Sequence, residues 1–291
     1  MSGNPGKDAS PVAQVPEEMG ILGKVLTMSY PLGRSTVRSS SARTPIHNPL
    51  LCTGSGECGK VCPTNAIQVE GSGAGAHFEL DYGKCIFCRR CVDVCPSGAL
   101  TATTDFELST LSRKDLVVAH VSGRPVAARD PELAKSVKLK VHHLFAGSLA
   151  IREIDAGSCG GCELEVGALT WPEYDLERLG IHFVASPRHA DALLVTGGVT
   201  VNMRLALEKT YRATAGPKFV IAVGACGISG GPFRGSPEVG GGVDSTLPVE
   251  VYIPGCPPRP EALLYGLWMA LGKVEQRLWN GELPPVAKRS D

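Results

Sequence analysis

The stretch Cys85-Ile86-Phe87-Cys88-Arg89-Arg90-Cys91-Val92-Asp93-Val94-Cys95-Pro96 decides how this chain is read. Its spacing is C-x₂-C-x₂-C-x₃-C-P. Three thiolates from one tight loop cap three corners of a cubane iron–sulfur cluster, and the fourth, leading into the proline, points away to the other cluster of a pair. A partner run is therefore required, and it lies upstream. Cys52, Cys58 and Cys62-Pro63 match Cys85, Cys91 and Cys95-Pro96 at a constant offset of 33 residues. The repeat departs at one position, where Ser55 stands opposite Cys88.

The crossed rule assigns two ligand sets. Cys85, Cys88, Cys91 and Cys62 complete one site. Cys52, Cys58 and Cys95 supply the other, with Ser55 where a fourth thiolate belongs. Three outcomes stay open there. An oxygen from Ser55, water or Glu57 ligates; or the site holds a three-iron cluster, which needs only three thiolates; or it is empty. An oxygen ligand is harder than sulfur and implies a lowered potential and a labile iron.

Residues 46–104 carry both runs. Each Cys-Pro is followed by a matching tail, Thr64-Asn65-Ala66-Ile67 and Ser97-Gly98-Ala99-Leu100. Each half thus reads as a cysteine loop, a short helix and a strand, with a Gly-rich hairpin at 71–76 before a strand at His77–Leu80. This is a two-cluster, ferredoxin-like α+β domain. It is too small to bury a large core, so its clusters must help hold it together.

The chain has 291 residues, enough for two domains with cores of their own. Lysine plus arginine equals aspartate plus glutamate at 29 each, which argues against nucleic acid as the main partner. Eleven cysteines would suggest disulfides in a secreted chain. Residues 1–18, however, show neither the basic start nor the apolar core of a signal peptide. No stretch approaches the about 18 apolar residues that cross a bilayer. The expectation is a cytoplasmic, reduced chain whose cysteines bind metal.

Residues 1–45 read as a disordered tail and a docking helix from Pro16, with Met19, Leu22, Val25 and Leu26 at helical spacing. Lys24, Arg34, Arg38 and Arg43 make its surroundings basic, which suits anionic lipid, an acidic partner or plain solvent. Residues 105–146 read as a connector with a helical turn or two. Residues 147–275 alternate strands (149–154, 181–185, 192–195, 218–223, 249–253) with helices (163–169, 202–212, 261–271). That alternation predicts an α/β domain with a mostly parallel, flavodoxin-like sheet. Residues 276–291 read as a tail.

The remaining cysteines, Cys159, Cys162, Cys226 and Cys256, each follow a predicted strand. The carboxyl ends of strands in an open α/β sheet line one edge, so cysteines far apart in sequence converge there. Four thiolates fit zinc or a cubane. The neighbouring two-cluster unit tips the choice to a [4Fe–4S] cluster, because a one-electron relay is useful only if it leads to another redox centre.

Two resemblances cover most of the chain. Residues 51–104, around CIFCRRCVDVCPSGAL, resemble the two-cluster ferredoxin subunit of respiratory complex I and formate hydrogenlyase. Residues 155–272 resemble the small subunit that those assemblies place beside their catalytic large subunit. They do so through DAGSCGGCELE, SPRHADALLVTGG, VIAVGACGISGG and VEVYIPGCPP. The resemblance implies that Cys159, Cys162, Cys226 and Cys256 hold the terminal cluster. The separation of Cys159 from Cys162 by two glycines, the segment GACGISGG and His189 are similar to the energy-converting [NiFe] hydrogenase branch. The implied partners are a catalytic large subunit and membrane-arm subunits, and the implied place is the cytoplasmic face of the cell membrane. The implied role is an electron-transfer subunit without a complete active site of its own. Alternatives are the same subunit in a nickel-free, quinone-reducing complex, or an iron–sulfur module that only binds or stabilises.

Among single residues, Glu163 reads as a helix N-terminal acid or a group near the cluster. Arg188 and His189 read as interface residues, His142 and His143 as connector residues, and Tyr265 and Trp268 as core or interface.

Overall fold

The computed structural model describes residues 27–28, 30, 43–121, 124–126 and 148–278. The expected docking helix with Lys24, Arg34 and Arg38, the pair His142 and His143, and residues 279–291 lie outside the described residues.

The N-terminal unit is built as two halves. Strand β1 (Thr44–His47) pairs antiparallel with β4 (Leu100–Thr103). Strand β2 (Ile67–Glu70) pairs antiparallel with β3 (His77–Asp81). Each cysteine loop ends in one helical turn, α1 (Glu57–Lys60) or α2 (Arg90–Asp93). The offset of 33 residues that relates the cysteines also carries β1 onto β3, α1 onto α2 and β2 onto β4. It holds for the backbone as well. Gly54 and Gly56 have φ of 68° and 73°, and their equivalents Phe87 and Arg89 have 54° and 67°. Glycine takes that left-handed region freely, whereas Phe87 and Arg89 hold it against about 1–2 kcal/mol each.

The connector expected at 105–146 is corrected in its described part. Residues 113–116 do form one 3₁₀ turn. The apolar run after it, however, is strand β5 (Val117–Val121), which pairs with β3, and β6 (Arg124–Val126) pairs with β5. The hairpin β2–β3 thereby becomes a four-stranded antiparallel sheet. The reason is the exposed edge of β3. An unpaired edge leaves backbone donors and acceptors without partners, and a β-branched run supplies them.

The C-terminal unit is a five-stranded sheet in the order β11-β10-β9-β7-β8, parallel throughout. Its strands are β7 (Leu149–Asp155), β8 (Ile181–Phe183), β9 (Ala192–Thr196), β10 (Phe219–Val223) and β11 (Val251–Ile253). Strands β9, β10 and β11 are buried along their whole length, as a parallel sheet covered on both faces requires. The helices are α3 (Gly161–Ala168), α4 (Val201–Ala213), α5 (Gly224–Ser229) and α6 (Pro260–Ala270). Helix α6 is buried at every position and opens on Pro260, whose missing N–H costs nothing at a first helical position. Tyr265 and Trp268 are core residues of α6. The expected strands at 181–185 and 249–253 are each shortened by two residues.

The two units meet along β11. Thr110 and Tyr252 exchange backbone hydrogen bonds of 3.0 and 2.9 Å. Gln276 accepts from Leu111 N–H at 3.1 Å and donates to Asp115 Oδ2 at 2.9 Å. Among the described residues, no helix is long and apolar enough to cross a membrane.

Candidate functional site

The eleven cysteines gather in three places, and all are free thiols. One small cavity is lined by Cys62, Cys85, Cys88 and Cys91. A second is lined by Cys52, Ser55, Cys58 and Cys95. Each cavity thus takes three positions from one loop and a Cys-Pro cysteine from the other. Ser55 is present at the second cavity but exposed, as is its equivalent Cys88 at the first.

Local backbone prepares these sulfurs for negative charge. Ala66 N–H donates to Cys62 Sγ at 3.2 Å, and Phe87 N–H donates to Cys85 Sγ at 3.3 Å. The hydroxyls of Thr64 and Ser97 lie 3.8 Å from Cys62 Sγ and Cys95 Sγ. Burial raises the Cys85 thiol far above its ordinary value, with the charges of Cys91, Cys62 and Cys88 adding to it. Burial, then Cys62 and Cys88, pushes Cys91 up to about 12. Burial also raises Cys58, aided by Cys95 and Cys52. Cys95 is lowered, because hydrogen bonds from Leu100, Ser97 and Ala99 outweigh its burial.

The third set sits at the carboxyl ends of the parallel strands. β7 ends at Asp155, whose Oδ1 accepts from Gly157 N–H at 2.7 Å and Ser158 N–H at 2.6 Å. That turn delivers Cys159, and α3 then starts at Gly161 with Cys162 in its first turn. Cys226 lies in α5 directly after β10, and Cys256 follows β11. Ala225 N–H donates to Gly255 O at 2.8 Å and ties these two loops together. Two glycines make the room. A Cβ on Gly224 would stand 2.7 Å from Cys162 Sγ, and one on Gly231 would stand 2.7 Å from Cys226 Sγ; both have left-handed φ, 78° and 55°. Burial raises Cys162, followed by Glu163, Cys226, Cys256 and Cys159. Burial, then Cys256 and Cys159, pushes Cys226 up to about 11. Cys256 is exposed as a residue, yet desolvation is the largest cause raising its thiol, followed by the charges of Cys159 and of Cys88. The last contribution crosses from one unit to the other. An open cleft joins the same two neighbourhoods, with Phe87, Cys256, Arg43, Glu165 and Arg259 in its walls.

Among the described residues, no three His, Cys, Asp or Glu side chains converge on a point as a single ion requires. Zinc would need its sulfurs about 2.3 Å from one shared centre. A cluster several atoms across needs thiolates around a cavity, and that is how the first two sets are disposed. The cradle at Gly224 and Gly231 fits a bulky group for the same reason. The residues therefore fit iron–sulfur clusters.

Glu163 has both carboxylate oxygens buried without hydrogen-bond partners. Arg188 and His189 lie exposed in a 3₁₀ turn at Pro187–His189, capped by Ser186. The sequence reading passed over His47, which lines the cavity of Cys52, Cys58 and Cys95. The repeat could have found it, since its equivalent 33 residues on is Leu80.

Comparison with known proteins agrees with this division. Residues 40–103 match the 4Fe-4S dicluster domain, and residues 159–270 match NADH ubiquinone oxidoreductase, 20 Kd subunit. All four cysteines of the third set fall inside the second match. Formate hydrogenlyase subunit 7 of Escherichia coli is 46% identical over 157 residues, which are 54% of this chain and 62% of that one. The probable membrane-bound hydrogenase subunit mbhJ of Pyrococcus furiosus is 48% identical, covering 45% of this chain and 78% of the relative. An NADH-quinone oxidoreductase subunit of Bacteroides fragilis is 51% identical, covering 47% of this chain and 69% of the relative. The chain therefore belongs to the NADH ubiquinone oxidoreductase 20 Kd subunit family, joined in one polypeptide to a 4Fe-4S dicluster domain.

Proposed function

We propose that this chain is the iron–sulfur electron-transfer subunit of a membrane-associated, hydrogenase-like complex of the formate hydrogenlyase type. The observation that carries this reading is the single cleft walled by Phe87, from the loop of Cys85 and Cys88, and by Cys256, which sets the N-terminal cysteines beside the C-terminal set. Cys62, Cys85, Cys88 and Cys91 would hold one [4Fe–4S] cluster. Cys159, Cys162, Cys226 and Cys256 would hold the terminal one, and Cys52, Cys58 and Cys95 a third. When bound, these groups supply one-electron transfer between a donor and a catalytic centre in a partner large subunit.

The chain's own residues hold and space the sites. Backbone N–H groups of Ala66 and Phe87 offset negative charge on sulfur. The Thr110–Tyr252 bridge fixes how the N-terminal unit sits against β11. Buried thiols with raised pKa values bind iron only by releasing protons, so iron binding strengthens as pH rises. The sheet order, read from β8 as 2-1-3-4-5, is that of flavodoxin-like folds, whose ligands sit at the β7/β9 switch point. Cys159 and Leu164, the latter 77% exposed, mark the face that a large subunit would cover at the cytoplasmic side of the membrane. Arg188 and His189 would belong to that contact.

A second reading, reduction of quinone without nickel, is favoured by the relative of 51% identity named for that reaction. Nickel content of the native complex, isolated anaerobically through this chain, separates the two. Stoichiometric nickel is expected with hydrogen turnover. Intact iron and sulfide without nickel would overturn the hydrogenase reading.

A further inference from the structure

The second N-terminal cavity offers three thiols and an exposed serine. A fourth donor lies in its wall. His47, at the end of β1, is 4% exposed and lines this cavity with Cys52, Ser55, Cys58 and Cys95. Its ring is held on two sides. It stacks on Phe78 with centroids 3.7 Å apart and planes 11° from parallel, and its Nδ1 lies 3.4 Å from Nδ1 of His120 in β5. The other nitrogen, Nε2, is buried and has no partner. A buried ring nitrogen left without a partner bears the full cost of its lost hydration unless something binds it.

The internal repeat sharpens the point. The offset of 33 carries His47 onto Leu80 and Ser55 onto Cys88. Leu80 lines the complete cavity just as His47 lines the incomplete one. The half that has its fourth thiol carries an apolar residue at this position. The half that lacks it carries an imidazole.

We propose that His47 Nε2 is the fourth protein ligand of the cluster held by Cys52, Cys58 and Cys95, in place of the thiolate missing at Ser55. Mixed histidine and cysteine ligation is within the chemistry of iron–sulfur centres. Ligation through Nε2 sets the tautomer. His47 then carries its proton on Nδ1 and donates it across the 3.4 Å contact to His120 Nδ1, which leaves the Nε2 lone pair to bind iron. This is the usual arrangement of a metal-bound histidine, whose second N–H is held by a neighbouring acceptor. No proton is displaced from His47 on binding. His120, added to the ferredoxin unit by β5, is a positioning residue. The assignment rests on the proposal that this site holds a cluster at all.

The test uses the full chain purified anaerobically with its clusters, labelled with ¹⁵N-histidine and reduced with dithionite. Pulsed EPR should show a strongly coupled, directly bonded nitrogen that changes with the isotope. His47→Ala should abolish that coupling and yield a three-iron signal after mild oxidation. His47→Cys should lose the coupling and keep four irons. Ser55→Ala should keep both the coupling and the four irons. The wild-type spectrum alone decides, even if a variant fails to fold. A loaded site without coupled histidine nitrogen overturns the assignment, as does a three-iron signal from Ser55→Ala and not from His47→Ala. If Cys52→Ala removes no iron from the chain, the site is empty and both this assignment and the reading beneath it fall.

Discussion

Asp81 and Arg113 meet through two parallel hydrogen bonds of 2.9 and 2.8 Å, where the end of β3 faces the 3₁₀ turn that leads into β5. Asp81 is 3% exposed, and its Oδ1 also accepts from Gly83 N–H at 2.9 Å, two residues before Cys85. One carboxylate therefore holds both the entry to the cysteine loop and the 3₁₀ turn that leads into β5. A bidentate arginine–carboxylate pair is the strongest form of this contact.

Asp81→Asn leaves Arg113 largely buried beside a neutral partner. The expected loss is about 3 kcal/mol, since breaking a buried pair strands the remaining charge. Denaturant unfolding of the holo chain measures it. Arg113→Met added to Asp81→Asn should recover part of the loss, and a full additive loss in the double variant would contradict the coupling.

Gly224→Ala and Gly231→Ala each place a methyl group 2.7 Å from a cysteine sulfur, in a backbone region that resists side chains. The terminal site should lose iron while the N-terminal sites keep theirs. Iron and sulfide analysis with EPR checks this. Gly167→Ala, on the same helix as Cys162 but with nothing near its Cβ, is the control that should leave iron content unchanged.

Thr110→Pro removes the N–H that bonds Tyr252 O and should loosen the docking of the N-terminal unit on β11. Iron content should stay at the wild-type level. Reduction of the terminal site by an external one-electron donor, followed by rapid-freeze EPR, should slow at least tenfold. An unchanged rate would show that the bridge does not set the distance between Cys88 and Cys256.

Stripping iron with a chelator should melt the two units unequally. Cys58, Cys85 and Cys91 belong to a buried cluster with Phe78 and Leu80 that runs on to Leu193 and Val220 of β9 and β10, so its N-terminal part is incomplete without metal. The core between β7–β11 and α6 is built from Leu149, Ile151, Leu194, Phe219, Leu263 and other apolar side chains. Hydrogen exchange should rise first in β1 and β4, while β9 and β10 stay protected.

The seven cysteines of the 33-residue repeat could be sorted from the sequence, because thiolate spacing is a local covalent constraint and the repeat is visible as identity. The sequence also determined the alternation of β7 to α6, since continuous apolar runs between amphipathic segments have few other solutions. Tertiary structure alone decided the fate of Leu116–Val121. A short apolar run has no periodicity of its own and takes its form from whatever edge is open, here β3. It also decided that Phe87 and Cys256 face one cleft, an arrangement tied to the backbone bridge from Thr110 to a strand 142 residues on. The repeat sets His47 opposite Leu80, but what its ring does was settled only by packing. One histidine in a strand says nothing until packing on Phe78 and His120 shows which nitrogen is left without a partner.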